Sequence, residues 1–323
     1  MLIVRSLSTE PAFNLAAEEY LFRNFSDDVF FLYINSPAVV VGKHQNAMAE
    51  INPWFVNENK VQVIRRLSGG GAVYHDLGNL NFSFHQTVAD TAKVSFKKFN
   101  EPIVEVLHQL GIAAEVGKRN DIFVDGYKVS GHAEHVFRNR VMSHGTLLFN
   151  ADRKSLSLAI KNPSFENFKG KAIQSVRSKV ANIVDFLQVP VSIDQFISKI
   201  ESHMFGTVIN SKKYSFTEND VREIENLSAE KYSTWNWNFG YSPNYRFEKS
   251  TSTKFGKVDV VLSVEKGIIV DCSILLNGVQ TYETITIQQL LLQCPYNIEQ
   301  ISVKYLKLED KIFELEVFLS CIF

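Results

Sequence analysis

Arg65-Arg66-Leu67-Ser68-Gly69-Gly70-Gly71-Ala72-Val73-Tyr74-His75-Asp76 is the most informative run in this 323-residue chain. Three consecutive glycines tolerate positive φ and expose backbone N–H groups, so the run can fold around an anion. The two arginines ahead of them add fixed charge and forked donors suited to phosphate or carboxylate. A bare glycine triplet is most often a surface turn. Here the basic pair and the strand-like segments on either side, Val61–Ile64 and Asn81–Phe84, bring a built anion-binding loop level with the plain turn. It is not a Walker A loop. Gly42-Lys43 and Gly170-Lys171 both lack the following Ser or Thr, and Pro37 and Phe165 stand where the first glycine belongs. Nor is it GxGxxG, so any nucleotide bound here is bound by another scheme.

Working outward from this run, Phe13–Phe25 carries apolar residues at 3–4 residue spacing, which predicts a helix with Asn14 as its N-cap. Val29–Ile34 and Ala38–Val41, separated by Asn35-Ser36-Pro37, read as a hairpin. Phe96–Leu110 has one apolar helical face closed by Gly111, with Pro102 either kinking the helix or marking its start. Ile122–Val124 and Tyr127–Ser130 read as strands joined by an Asp125-Gly126 turn, and Val141–Phe149 as a further strand. Val176, Val180, Ile183, Val184 and Leu187 suggest another helix. Tyr241–Thr253 is polar and aperiodic and reads as a domain boundary. Beyond it, strand-like Val258–Val264 and Gly267–Ile274 precede a helix around Ile287–Leu292. Hairpins and separate helices without regular βαβ alternation indicate an α+β fold. The division expected is a large domain over 1–245 and a small α+β domain over 250–323.

Composition narrows the function. A net charge of -1 gives no basic excess for displacing counterions from nucleic acid, and no support for an anionic membrane surface. No run of 18 apolar residues occurs, so no spanning helix is expected. Cys272, Cys294 and Cys321 have no zinc spacing and no even count for disulfides, which suggests a reducing cytoplasm. The opening MLIVRSLSTEP does not read as a secretory or import signal. The 25 phenylalanines read as core packing.

Lys128 sits among apolar strand residues, and a partly buried lysine needs an acidic partner or an anionic ligand. An exposed strand lysine is the plainer alternative. Asp121 is of the type that holds magnesium together with phosphate oxygens, although a lone Asp is more often a turn residue. His132, His135 and His144 lie close in sequence, but His-x-x-His with no evident third ligand is a weak zinc signal. No Ser-His-Asp set can be assembled from spacing. No cysteine precedes Cys272, so acyl transfer through a thioester has no evident nucleophile among the motifs.

Seven blocks in order complete the reading: FNLAAEEYLF (Phe13–Phe22), RRLSGGGAVYHDLGN (Arg65–Asn79), RNDIFVDGYKVSGHA (Arg119–Ala133), HGTLLFNAD (His144–Asp152), SVRSKVANI (Ser175–Ile183), WNWNFG (Trp235–Gly240) and VEKGII (Val264–Ile269). Together they resemble lipoate–protein ligase, the adenylating branch of the lipoate/biotin ligase superfamily. The resemblance implies a large ligase-like domain with mixed and antiparallel sheets flanked by helices, plus a small C-terminal domain. It implies activation of lipoate by ATP and Mg2+ to lipoyl-AMP, then transfer to a lysine of apo lipoyl domains, in 2-oxoacid dehydrogenase complexes and the glycine cleavage H protein. A cytoplasmic monomer is expected.

By the same resemblance Lys128 is the catalytic lysine, touching both the acyl carbonyl and the α-phosphate. Arg66, Gly71, Ala72, Val73, Tyr74 and Asn120 would join it in holding ATP or the adenylate, with Asp121 near the magnesium ion. Leu15, Glu18, Tyr33, Ser68, His75, His144 and Thr146, again with Arg66 and Lys128, match the lipoate pocket. Two positions depart from the pattern: His132 stands where a smaller residue is usual, and Tyr33 where Trp is expected. The nearest alternative is a lipoyltransferase that uses preformed lipoyl-AMP.

Overall fold

The computed structural model describes residues 1–160, 162–176, 178–309 and 311–323. Along the chain run β1 (Leu2–Arg5), β2 (Val29–Ile34), β3 (Ala38–Val41), β4 (Gln62–Arg65), β5 (Val73–His75), β6 (Asn79–Thr87), β7 (Ala114–Val116), β8 (Ile122–Val124), β9 (Tyr127–Ser130), β10 (His132–Phe137) and β11 (Arg140–Leu148). They are followed by β12 (Phe168–Lys169), β13 (Lys212–Tyr214), β14 (Tyr245–Thr253), β15 (Gly256–Glu265) and β16 (Ile268–Leu276). The main sheet is mixed, in the order β10-β11-β6-β2-β1-β13. Strand period decides what covers it. Phe30 and Leu32 join Phe82 and Phe84 in a core with Ile103, Val106, Phe196 and Ile200. Val29, Phe31 and Tyr33 point the other way, onto Leu15, Ala16 and Leu21 of the helix Pro11–Asn24. This is the α+β architecture expected.

The 29–41 hairpin does not form. β2 pairs with β1 and β6, whereas β3 belongs to a separate sheet, parallel to β4 and antiparallel to β5. Both runs are continuously apolar and need two covered faces, which an isolated pair of strands does not provide. Asn35 between them is fully buried and bonded to Asn14 and His75. Asn14 therefore does not cap its helix, which starts at Pro11 after Glu10.

Three further expectations shift. Pro102 marks a helix start: Glu101–Gln109 is α-helical, while Phe96–Phe99 is a short 3-10 turn. The helix expected over 176–187 is absent among the described residues (Arg177 lies outside them). Lys128 N–H donates to Lys179 O and Ala181 N–H to Lys128 O, so the segment lies extended along β9, and only Ile183–Phe186 turns as 3-10. The aperiodic boundary is also replaced from Tyr245 onward, where β14 pairs with β15 through Thr253. Its neighbour β12 lends the C-terminal sheet an edge from much earlier in the chain. The Asp125-Gly126 turn between β8 and β9 forms as expected.

β14, β15 and β16 are antiparallel, and Phe247, Val258, Val260, Leu262 and Val264 alternate inward beneath the helices Tyr282–Leu291, Ile298–Leu306 and Leu315–Ile322. That core continues without a break into Val39, Val41, Ala47 and Met48 beside the glycine-rich loop.

Candidate active site

The glycine loop leaves β4 and enters β5. Gly70 has φ +86°, a conformation that costs other residues a steric penalty. A Cβ on Gly71 would sit 2.9 Å from Ser175 Oγ, so the loop and the 170–180 segment are in direct contact. The two arginines before the loop have different partners. Arg65 is fully buried, and its guanidinium donates to the carbonyls of Gly42, Lys43, Gln45, Trp237 and Asn238 and to Ser242 Oγ. Burial and neighbouring Arg66 push its pKa down to about 10. Arg65 is thus a structural rivet, not the phosphate donor that its place before the loop suggested.

Arg66 bonds Ser68 Oγ through Nε at 2.9 Å and Val40 O through Nη1 at 3.1 Å. Its Nη2 reaches Gly69 O at 2.5 Å and Gly71 O at 2.8 Å. It shapes the loop by holding its carbonyls inward.

Behind the loop lies a buried polar chain. Arg66 Nε–H donates to Ser68 Oγ, which leaves the Ser68 hydroxyl proton for His144 Nε2 at 2.6 Å. His144 Nδ1–H then faces the Glu18 carboxylate at 2.9 Å. Burial pushes the Glu18 carboxyl up, but the His144 ring, with His85 and the Ser83 hydroxyl, outweighs it and holds Glu18 below its usual range. A Ser-His-Glu order thus exists that spacing did not reveal. However, Ser68 is 1% exposed and absent from both cavity walls described below, so the chain orients Arg66 and His144 and offers no nucleophile.

Two cavities meet here. The smaller, about 380 Å³ including solvent, is walled by Leu15, Tyr33, Val40, Val73, His75 and Asn81, with Arg66, His144 and residues 131–133. The larger, about 1440 Å³ including solvent, is lined by Ala72, Val73, Tyr74, Lys128, Leu148, Arg153 and Ser175 among others. Val73, Gly131 and Thr146 border both. Lys128 stands at this junction. A Cβ on Gly131 would lie 3.8 Å from Lys128 Nζ, which pairs with Asp121 Oδ2 at 2.9 Å. Gly131 is itself locked to Thr146, donating to its Oγ1 and accepting from its N–H.

Most of the expected residues converge. Leu15, Tyr33, Arg66, His75, His144 and Thr146 line the small cavity, and Glu18 and Ser68 sit behind it. Ala72, Val73, Tyr74 and Lys128 line the large one. Arg66 faces the small cavity and not the large one. Asn120 lines neither; at φ +62° it donates to Glu134 Oε1 and accepts from Asn100. Asp121 pairs with Lys128 through Oδ2 and accepts from the His132 N–H through Oδ1. Among the described residues no group of three His, Cys, Asp or Glu converges as a metal site. His132 bonds Asn100 and Ser143, and His135 packs on Phe22.

Spacing missed Glu50 and Gln45. Ser175 Oγ donates to Glu50 Oε2 and accepts from the Ala72 N–H at 2.8 Å and from Gln45 Nε2 at 3.1 Å. Burial pushes the Glu50 carboxyl up despite these bonds. Only the Ser175 block hinted at this contact; no local signal marks Glu50.

Residues 10–205 match the lipoyl protein ligase A/B catalytic domain, and residues 242–321 match the bacterial lipoate protein ligase C-terminus. The chain belongs to the lipoate–protein ligase family. The lipoate-protein ligase LplJ of Bacillus subtilis is 44% identical over 82% of this chain and 81% of its own length. A crystal structure of lipoate-protein ligase A bound with ATP superposes with a TM-score of 0.62 at 29% identity, covering 74% of this chain and 98% of that one. A T. acidophilum protein with bound lipoic acid gives 0.63 at 28% identity, with coverage of 74% and 98%. A bipartite lipoate protein ligase, from a study of that organism's lipoylation system and its E2 lipoyl domain, gives 0.64 at 27%, with coverage of 74% and 96%. This lipoate–protein ligase thus carries both regions of the family, and no helix among its described residues is long and apolar enough to cross a membrane.

Proposed function

We propose that this ligase activates lipoate with ATP and transfers the lipoyl group to a lysine of an apo lipoyl domain. The supporting observation is the junction of a small cavity with a largely apolar surface and a larger one of mixed polar and apolar lining, with Lys128 at the boundary. In this reading lipoate takes the small arm with its carboxylate toward Gly131 and Lys128, and the nucleotide takes the large arm along Ala72, Val73 and Tyr74. A carboxylate oxygen attacks the α-phosphorus, the bond to the β-phosphate oxygen breaks, and pyrophosphate leaves. The acceptor amine then attacks the acyl carbon, and AMP leaves with the electron pair of the broken anhydride bond while the amine loses its proton.

Lys128 offsets the charge that gathers on the acyl and phosphate oxygens in both steps. Asp121 holds the lysine in place until the substrate phosphates arrive. Arg66 acts from behind, keeping the loop carbonyls turned inward and the acyl arm in shape. Magnesium enters as part of the nucleotide substrate. The three cysteines are buried in the C-terminal region, away from this junction, which favours the adenylate route over a thioester. Acceptors in this reading are the lipoyl domains of 2-oxoacid dehydrogenase complexes and the glycine cleavage H protein. The enzyme works as a cytoplasmic monomer with a catalytic unit over 1–245 and an accessory unit over 250–323.

The test is incubation with lipoate, Mg·ATP and an apo lipoyl domain, reading pyrophosphate and the acceptor's mass. Modification from synthetic lipoyl-AMP but not from lipoate plus ATP would leave a lipoyltransferase. Lys128→Ala is expected to slow pyrophosphate release by about a hundredfold or more with an unchanged melting temperature. A near-normal rate would remove Lys128 from the mechanism.

A further inference from the structure

Among the described residues that wall the small cavity, one carries a buried polar side-chain atom with no hydrogen-bond partner. His75 is 3% exposed, and its Nε2 is buried without a hydrogen bond. Other polar side chains on that wall are bonded within the protein: Tyr33 to Glu18, Arg66 to the loop, Asn81 to Asn79 and to Tyr33 O, His132 to Asn100, His144 to Ser68 and Glu18, and Thr146 to Gly131.

The protein also decides which His75 nitrogen carries the proton. The two Asn14 Nδ2 hydrogens are shared among Ser8 O, Ile34 O and Asn35 Oδ1, the last at 2.9 Å, and Ser6 Oγ donates to Asn14 Oδ1. This orients the Asn35 amide so that its Nδ2 donates to His75 Nδ1 at 3.0 Å. With Nδ1 accepting, the ring proton must sit on Nε2. Burial, with Arg66 beside it, pushes the His75 pKa down to about 3, so at neutral pH the ring is an uncharged donor.

Depth follows from the strand. Val73 borders both cavities, whereas His75 borders only the small one, two residues further along the same face of β5. At strand rise that places it about 6–7 Å deeper than the junction. A neutral N–H in a cavity that Leu15, Val40 and Val73 also wall is matched to a soft, weak acceptor; a carboxylate there would also meet the buried Glu18.

We infer that His75 presents its Nε2–H to a sulfur at the distal end of the bound acid, and so selects a dithiolane tail over a hydrocarbon ring of the same shape. The inference rests on lipoate being the acid bound. Sulfur is a weak acceptor, so the expected preference is modest, about fivefold. The sign is diagnostic, because methylenes are at least as easily buried as sulfur and would otherwise bind as well or better.

The experiment compares kcat/KM for lipoate and for 5-cyclopentylpentanoate, in which methylenes replace both sulfurs, reading pyrophosphate release. The wild-type enzyme should favour lipoate about fivefold. His75→Phe should bring the ratio to about one, and His75→Gln, whose amide N–H reaches the place of Nε2, should restore most of it. A wild-type ratio near one, or a preference undiminished in His75→Phe, overturns the inference. If His75→Phe does not fold, the wild-type ratio and the Gln variant decide by themselves. Turnover of neither acid would overturn the lipoate reading and this inference together, whereas equal turnover of both would overturn this inference alone.

Discussion

The two regions of this ligase have opposite kinds of interior. Around the candidate site, Asn14, Glu18, Asn35, Arg65, Arg66, His75, His85 and His144 are all buried. From Tyr245 onward Thr284 is the only non-aromatic polar or charged residue buried to that degree among the described residues, and the core is Phe, Val, Ile and Leu with three tyrosines and three cysteines. Buried polar groups cost stability unless every donor and acceptor is matched. The first region therefore has oriented side chains at the expense of stability, and the second supplies packing. Because the apolar cluster runs on into Val39, Val41 and Met48, the dry region also supports the strand beside the glycine loop.

The largest effect that would break this contrast lies in the dry core. Phe247 is fully buried between Phe168 and Tyr296, with ring centroids 5.0 and 5.8 Å away. Phe247→Ala should cost about 3–5 kcal/mol in a urea titration, seen as a single earlier transition because the core is shared. A loss below about 1 kcal/mol would mean that the C-terminal core supports nothing beyond itself.

Arg65→Met tests the polar region, because it leaves five carbonyls without their donor. The expected cost is about 3 kcal/mol at nearly constant side-chain volume, read from the same titration. A neutral result would show that water or a backbone shift rescues them.

The smallest expected effect is acid sensitivity. Burial pushes both His75 and His85 down to about 3. Between about pH 3 and pH 6.5 the unfolded rings bind protons that the folded rings do not. Their contribution is therefore complete above pH 6.5 and is lost as pH falls, by on the order of 1 kcal/mol per pH unit for each ring. Glu18, held below its usual range, adds a loss of the same sign at lower pH. Urea midpoints at pH 7.0 and 5.5 should show the drop, and His85→Phe should remove about half of it. A flat profile in the wild-type enzyme would mean that these rings are solvated in the folded state.

Much of the fold was legible wherever a local signal was sufficient. The period of Phe13–Phe25, the Asp125-Gly126 turn and the 258–274 strands all appear as read. The failures share a cause. Val29–Ile34 and Ala38–Val41 looked like partners because they are adjacent, but each is apolar on both faces and pairs with distant strands. Val176–Leu187 has helical spacing, yet Lys179 O and Ala181 N–H bond to Lys128 in place of helical partners. Glu50 carries no local mark because its meaning is its contact with Ser175, 125 residues away.

By itself the sequence determined the α+β class, which rests on residue types at short spacing, and the family, which rests on the resemblance carried by seven ordered blocks; it also singled out the glycine loop and Lys128 as candidates. It could not assign the two arginines. Arg65 and Arg66 are neighbours of one type, and what separates them is that Arg65 meets Trp237 and Asn238, 172 and 173 residues away, while Arg66 turns back to its own loop. The proton on His75 likewise depends on Asn14 and Asn35 arriving from a helix and a strand end. A charged or hydrogen-bonding side chain takes its role from the groups that surround it after folding, and those contacts are set by tertiary packing.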